Sequence, residues 1–554
     1  LATTATDQPQ LGAVCDAIED APVPVIAVVQ GAALGTGCAL ALAAHYRIAS
    51  DRAAFGFPEV TLGRVPEAGA TQRLPRITGA QAALEIMLAG RPIAAPEAER
   101  LGLVDRITSG DPRPAAQDYA ETLISQGAGP RPTRLRLRGL RDGRAFQAAV
   151  AAARKRVGNP VVQAPARIID CIEAAQLLPF EGGLEYERAA TEACAESSQA
   201  RALLHLYQAE RRAGRLPISG DADPGRIEQV ALVGQGDAAA GWAVLSADSG
   251  TPVRVPDADD LDDILTRMRA IFDEAIARGR LTAAQRDSRL ALVSQSDLDQ
   301  ADLVLDLTGT ADAGGLRDGA IVARVLPATG AADLAGLDDQ TVPTVALIGT
   351  GPAHLSRLTE MLEPAGLPDA TRLRLLRFLK QVGRVVVATP AESGGLGSAL
   401  WGAVVWVAAR LAAQGAAPEA IQQALRAYGL SRLPFQTRRP PAAQSDQAAG
   451  LTDTDIARMC EAALANTGAL LIEAGLAHSP ADIDLVMVHG YGFPRWRGGP
   501  MLAADERGLL ATRKMLRSLA AEGDADFWAP SGLFDSLIKN GRHFRDMNDG
   551  TVPE

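Results

Sequence analysis

Aromatic side chains are scarce in this sequence: Phe, Trp and Tyr together make up 4% of 554 residues. Its cores must therefore be built from Ala, Leu and Val, with many helices packed close together. Lysine is nearly missing. Of 55 basic residues only Lys155, Lys380, Lys514 and Lys539 are lysines, so arginine runs such as Arg131 to Arg144 read as genome composition on a solvated face. Five cysteines (Cys15, Cys38, Cys171, Cys194 and Cys460) are odd in number and lack CxxC spacing. They suggest neither a disulfide framework nor a metal site, and a reducing cytoplasmic setting is the simplest expectation. A net charge of −11 argues against nucleic acid or an anionic membrane as principal partner. Long apolar runs are also lacking: the most apolar stretch, Leu396 to Ala409, stops at Arg410 and is expected to be a buried helix, too short for a membrane span.

What remains is the balance of an ordinary globular protein, 47% apolar and 22% charged, which excludes a disordered or collagen-like chain. The length predicts three or four domains. The chain opens on Leu1 rather than Met and runs almost at once into a dense motif, so an N-terminal portion is expected before it.

Residues 1–112 alternate short apolar runs, glycine turns and amphipathic helices. Val23 to Val29 reads as a strand, Gly31 to Gly37 as a turn, and Cys38 to Tyr46 as a helix opening there. Residues 113–215 read as mostly helical. Arg226 to Val233 is a strand leading to Gly234-Gln235-Gly236, a helix, and the strand Pro252 to Val255 ending near Asp257, which is a βαβ beginning. Strands at Leu303 to Leu307, Ala320 to Val325, Thr344 to Ile348 and Arg384 to Ala388 extend an α/β domain to about residue 390. Helices fill 397–434, Arg438 to Gly450 reads as a linker, and a helical unit closes the chain.

A strand feeding a glycine turn and then a helix N-terminus, as in Pro24 to Cys38, leaves backbone N–H groups free to bind an oxyanion. Together with Phe55-Gly-Phe-Pro-Glu-Val60, Leu62-Gly63, Pro66-Glu-Ala-Gly-Ala-Thr-Gln-Arg-Leu-Pro75, Ala89-Gly90 and the run from Ala94 to Asp105, this segment resembles the enoyl-CoA hydratase/isomerase (crotonase) family. The resemblance implies an acyl-CoA thioester substrate whose carbonyl is polarised by two backbone N–H groups while carboxylates move protons. It assigns one of those donors to Thr36 and the other to an earlier strand that the chain lacks. Hydratases hold a water between two glutamates. The second falls on Glu59, but the first falls on Ala39, which cannot act on a proton. Glu67 lies eight residues beyond Glu59, where dienoyl-CoA isomerases carry a second acid. The pair suits double-bond migration better than hydration.

The later segments Leu178-Pro-Phe-Glu-Gly-Gly-Leu184 with Glu187, Glu196 to His205, Asp482-Ile-Asp484 and Gly490 to Pro500 resemble the multifunctional β-oxidation proteins that fuse a hydratase to a 3-hydroxyacyl-CoA dehydrogenase. That resemblance implies NAD as cofactor, held by Gly234, Gly236 and Asp257, with Ala239 at the third glycine position. Asp237 adds unfavourable charge beside the expected pyrophosphate, and Asp306 to Gly314 replaces a longer segment that helps cover the nicotinamide. The family's catalytic His and Glu align with Ile348 and Glu360, its Ser with Pro327 and its Asn with Ser398, or with Ala399 on a one-residue shift. Isoleucine accepts no proton, so the dehydrogenase half is expected to be inactive. His354, six residues on, is the one nearby histidine.

The expected fold is α/β multidomain. It comprises a partial crotonase ββα spiral (1–177), linker helices (178–222), a Rossmann domain (223–390), and two helical C-terminal dehydrogenase domains (391–440 and 441–554). The expected function is acyl-CoA chemistry of β-oxidation, isomerase-type proton transfer being the best supported. Two alternatives stand beside it. One is a non-catalytic acyl-CoA/NAD-binding scaffold for a thiolase-like partner; the other is a different acyl-CoA reaction using Glu59 and Glu67.

Overall fold

The computed structural model describes residues 10–213, 225–311, 315–328, 342–436, 439–445, 448 and 450–548. Parts of the expected linkers 178–222 and Arg438 to Gly450, the end of the segment Asp306 to Gly314, and residues 1–9 lie outside the described residues. The chain divides into two compact units, 1–204 and 205–554.

The first unit carries two small sheets among helices. Strands β1 (Ile26–Val29), β3 (Tyr46–Ser50) and β6 (Arg106–Thr108) form one, parallel throughout, in the order β1-β3-β6. The other consists of β2 (Ala32–Leu34), β4 (Ala54–Gly56) and β5 (Ile93–Ala94), with β2 parallel and β5 antiparallel to β4. Between β2 and β3 the helix Thr36–Ala43 replaces the expected Cys38 to Tyr46. It begins earlier because Gly35 turns at φ +53°, and it ends earlier because the His45 and Tyr46 N–H groups donate to Val25 O, starting β3. The core is Ala, Leu and Ile with few rings, Phe55, Phe57 and Phe146 among them, as scarce aromatics require.

In the second unit, β7 (Val230–Val233), β8 (Val253–Val255), β9 (Val293–Gln295), β10 (Leu303–Asp306), β11 (Ile321–Pro327), β12 (Thr344–Gly349), β13 (Leu358–Glu363) and β14 (Val385–Pro390) make one sheet. Its order is β14-β13-β12-β11-β10-β7-β8-β9. Only β12 and β13 pair antiparallel. The chain leaves β7 for β8 on one side and returns to β10 on the other. This reversal opens a crevice at the carboxyl end of β7, where open α/β sheets bind ligands. Gly234-Gln235-Gly236 stands there. Strands β9 and β13 escaped the sequence reading: β9 is only three residues long, and β13, Leu-Thr-Glu-Met-Leu-Glu, carries no β-branched apolar run.

The helix Leu396–Ala413 belongs to a stretch, Ala391–Ala413, that is by length and composition long and apolar enough to cross a membrane. That corrects the shorter limits read from sequence. Its role is set by burial: Leu396, Leu400, Val404, Val407 and Leu411 are all at most 1% exposed and join the core with Ile421, Leu425 and Leu485. One core thus serves helices from both sides of the linker region at 438–450. Leu400→Ala leaves a cavity there and should cost about 2–5 kcal/mol; denaturant unfolding followed by circular dichroism should begin at visibly lower denaturant.

Candidate active sites

The first site is assembled around Gly35. Its N–H donates to Gly56 O at 2.9 Å, tying β2 to β4, and its carbonyl accepts from Ala39 N to start the helix Thr36–Ala43. The N–H of Thr36 is thereby left at the helix N-terminus without a backbone acceptor among the described residues. A Cβ on Gly35 would lie 2.7 Å from Glu59 Oε1, so glycine is required both by φ and by the carboxyl packed on the turn. Glu59 stands in the short helix Pro58–Leu62. Its Oε2 is buried without a hydrogen-bond partner. Burial first, and the charge of Glu67 in addition, raise its pKa above the ordinary carboxyl value. Ala39 is 1% exposed in the core and brings no acid.

Glu67 is exposed and stands one residue before a strained turn. Ala68 has φ +60° and Gly69 φ +76°, and a left-handed alanine persists only where its surroundings hold it. The holding groups come from far along the chain. Glu187, 3% exposed, accepts from Gly69 N (2.6 Å), Thr71 N (2.9 Å) and Thr71 Oγ1 (2.6 Å). Arg73 Nη1 donates to Ala68 O at 2.7 Å and is itself paired with Glu19 at 2.9 Å and Asp16 at 3.0 Å. A cavity of about 510 Å³ opens beside the turn, lined among others by Leu11, Glu67, Arg73, Leu184 and Thr191; its lining includes neither Thr36 nor Glu59. The fold therefore packs Glu59 on the turn that carries Thr36, with Glu67 on the neighbouring cavity wall and close enough for its charge to act on Glu59. Sequence reading missed Glu187 as the clamp of that turn; its place in the segment after Leu178 was the one available signal.

The second site lies at the antiparallel step in the large sheet. Ile348 on β12 is directly opposite Glu360 on β13. Both touch the space above Gly395, where a Cβ would meet Ile348 Cδ1 at 2.9 Å and Glu360 Oε2 at 3.6 Å. Glu360 is fully buried and accepts from Gly397 N at 3.2 Å, at the start of the helix Leu396–Ala413. Its Oε1 has no partner, nor has the buried Tyr491 hydroxyl near it. Burial pushes the Glu360 carboxyl up to about 7. His354 packs elsewhere, its Nδ1 3.2 Å from a Cβ position on Gly241, and partial burial lowers its pKa. Ser398 Oγ donates to Gly395 O at 2.9 Å, and Pro327 ends β11.

At the switch point, the residues fit a dinucleotide in frame. Gly236 has φ +87° and nothing within 4 Å of its Cβ position, so backbone can be approached closely. Asp257 caps the helix Ala258–Ala277 through Oδ1 (2.9 and 3.0 Å to Asp259 N and Asp260 N), which leaves Oδ2 for a ribose hydroxyl. Asp306 is spent on its own loop, accepting from the N–H groups of Thr308 and Gly309. Asp237 pairs with Arg267 at 2.6 Å, so the unfavourable charge read from sequence is partly balanced by a cation that the sequence reading did not single out.

Comparison with known proteins agrees with this division. Residues 2–127 match the enoyl-CoA hydratase/isomerase family, 229–308 the NAD-binding domain of 3-hydroxyacyl-CoA dehydrogenase and 456–552 its C-terminal domain. The chain is 28% identical to the peroxisomal bifunctional enzyme of Danio rerio over 96% of its own length and 88% of that protein. It is 32% identical to the fatty acid oxidation complex subunit alpha of Shewanella halifaxensis, over 58% of this chain and 46% of that one, so it spans less than half of the bacterial relative. Among solved structures, 3-hydroxybutyryl-CoA dehydrogenase from Escherichia coli K12 aligns with 57% of this chain and all of that one, at 17% identity and a TM-score of 0.47.

The Glu360 carboxyl has a pH signature. Its pKa in the folded chain, about 7, exceeds that of an unfolded glutamate, so its contribution to stability is full below about pH 4 and is lost as pH rises through about 7. Thermal unfolding of the second unit should therefore fall between pH 5 and 8 by an amount on the order of a few kcal/mol, and Glu360→Gln should flatten that fall. Equal pH slopes for the two proteins in scanning calorimetry would contradict it.

Proposed function

We propose, for a chain that joins an enoyl-CoA hydratase/isomerase segment to the NAD-binding and C-terminal domains of a 3-hydroxyacyl-CoA dehydrogenase, in the manner of the multifunctional β-oxidation proteins, that its working chemistry is double-bond migration in enoyl-CoA thioesters. The observation that carries this reading is Glu59. A carboxyl with a burial-raised pKa and an unpartnered buried oxygen is packed on the turn whose next N–H, that of Thr36, faces no backbone acceptor among the described residues. Glu59 would remove a proton from the carbon beside the thioester carbonyl, and the Thr36 N–H would stabilise the oxyanion that develops. The same carboxylic acid would then return the proton two carbons along. Hydration needs a second acid to position water, and alanine occupies that place.

The dehydrogenase half is read as lacking its base. NAD, when bound, supplies a hydride acceptor; Gly234, Gly236 and Asp257 would hold it. Taking the hydroxyl proton requires a group opposite Glu360, and Ile348 stands there. The cytoplasm is the proposed location, where five buried free cysteines stay reduced. If catalysis is absent altogether, the second reading, an acyl-CoA-binding scaffold for a thiolase-like partner, takes its place.

With 3-enoyl-CoA as substrate, Glu59→Gln should lower isomerisation by about 10²–10⁴-fold, and faster isomerisation than crotonyl-CoA hydration is expected from the unaltered chain. Glu67→Gln should change the rate far less. If neither variant alters any acyl-CoA reaction, the scaffold reading replaces this one. Oxidation of 3-hydroxyacyl-CoA, followed as NADH formation, should run below about one-hundredth of a rate with an intact base; a full rate would mean that His354 has been recruited.

A further inference from the structure

The glycine turn of the dinucleotide frame is already held by a carboxylate. Gly236 N–H donates to Asp263 Oδ2 at 2.8 Å. Asp263 stands in the second turn of the helix Ala258–Ala277, and both its oxygens lie 2.9 Å from Arg267 Nε. Arg267 Nη1 reaches over to Asp237 Oδ1 at 2.6 Å, in the first turn of the helix Gly236–Asp248. These three side chains close a ring over the spot where a Rossmann turn receives pyrophosphate.

Backbone crowding at Gly236 is not what limits a ligand there, since among the described residues nothing approaches its Cβ position within 4 Å. Charge and donors are. One guanidinium faces two carboxylates before a pyrophosphate brings further negative charge, and the first N–H of the helix Gly236–Asp248 is taken. A phosphate oxygen cannot accept from Gly236 while Asp263 does, and two anions at hydrogen-bond separation repel. Asp263 moving out frees both the N–H and the guanidinium. The guanidinium fork that now receives a carboxylate suits a phosphate equally well.

We propose that Asp263 is an internal competitor of the dinucleotide pyrophosphate at Gly236, and that Arg267 passes from Asp263 to the pyrophosphate when NAD or NADH binds. The proposal concerns binding alone and is independent of the enoyl-CoA reading. Arg267 thereby becomes an affinity-determining residue, and the unaltered chain should bind the dinucleotide weakly.

The test is NADH binding to the full chain, by calorimetry and nicotinamide fluorescence. Four proteins are compared: unaltered, Asp263→Ala, Asp263→Asn, and Asp263→Ala with Arg267→Ala. Losing one charge-assisted contact to Gly236 corresponds to about a tenfold gain in NADH affinity for either Asp263 variant. The double variant should lose that gain. Asp263→Asn keeps the size and an acceptor oxygen, so it separates charge from shape, and circular dichroism melting reports whether each protein is folded. Equal or weaker binding by Asp263→Asn overturns the proposal, as does a double variant that binds as tightly as Asp263→Ala. Absence of NADH binding in all four proteins, or an unfolded Asp263→Asn, overturns it too, because Asp263 would then be a structural cap.

Discussion

A buried carboxylate that reaches across the chain to clamp the first N–H groups of a helix is the interaction on which both units depend. Glu187 clamps the helix Ala70–Thr78 from 118 residues away. Glu360 clamps Leu396–Ala413, and Asp484 clamps Pro500–Arg507 through Met501 N at 2.8 Å while also meeting His205 at 2.8 Å. Asp505 holds Phe544 N and Arg545 N at 2.9 Å each. Burial raises the pKa of all four: Glu187 and Glu360 to about 7, Asp505 to about 6, and Asp484 in direction alone. A raised pKa means that desolvation outweighs the donors, so these contacts add little net stability. What they fix is geometry, because removing the carboxylate would leave several buried N–H groups unpaired at once. In a chain with few aromatic rings to lock its helices in register, that directional constraint does much of the positioning. Gly499 shows how tightly it is built: at φ +109°, its Cβ would fall 2.3 Å from the Asp484 carboxylate.

The same pKa can arise from different balances, and the difference separates structure from chemistry. Glu187 has three donors and both oxygens occupied. Glu360 has backbone donors on one side only, with Oε1 unpartnered and an aliphatic side chain across the strand pair. Glu59 also keeps an unpartnered buried oxygen, but it stands beside a helix N-terminus at a glycine turn. An open valence next to a free backbone donor can act on a ligand. An open valence facing isoleucine has no proton-transfer partner on the paired strand.

Much of this was legible in the sequence, for identifiable reasons. Glycine turns before helices announce themselves, so the turns at Gly35 and at Gly234 to Gly236 were legible, and the strands of the large sheet other than β9 and β13 were read to within a few residues of their observed limits. Counting along the matching segments aligned Ile348 and Glu360 with the family's His and Glu, but their pairing across β12 and β13 was not read because β13 itself was missed. What stayed hidden was every contact between residues far apart in sequence. Glu187 could not be tied to Gly69, nor Asp263 to Gly236 across 27 residues, because no local pattern marks a carboxylate aimed at a distant N–H. Helix limits near His45 failed for a related reason: the N–H groups of His45 and Tyr46 had a competing acceptor, Val25 O, that is remote in sequence.

The two halves differ in how substitution touches their chemistry. An oxyanion donor is a backbone group, so threonine at position 36 costs nothing while the turn at Gly35 survives. The frame for a dinucleotide is backbone as well, and alanine at position 239 is tolerated by the same argument. General bases are side chains, and one replacement removes them, as the roles proposed for positions 348 and 39 suppose. A chain of this construction loses reactions one at a time while its fold and its binding surfaces persist. The reaction that survives longest is the one needing the fewest side chains. Proton shuttling by a single carboxylate beside a backbone donor is that minimum, and the role proposed for Glu59 rests on it.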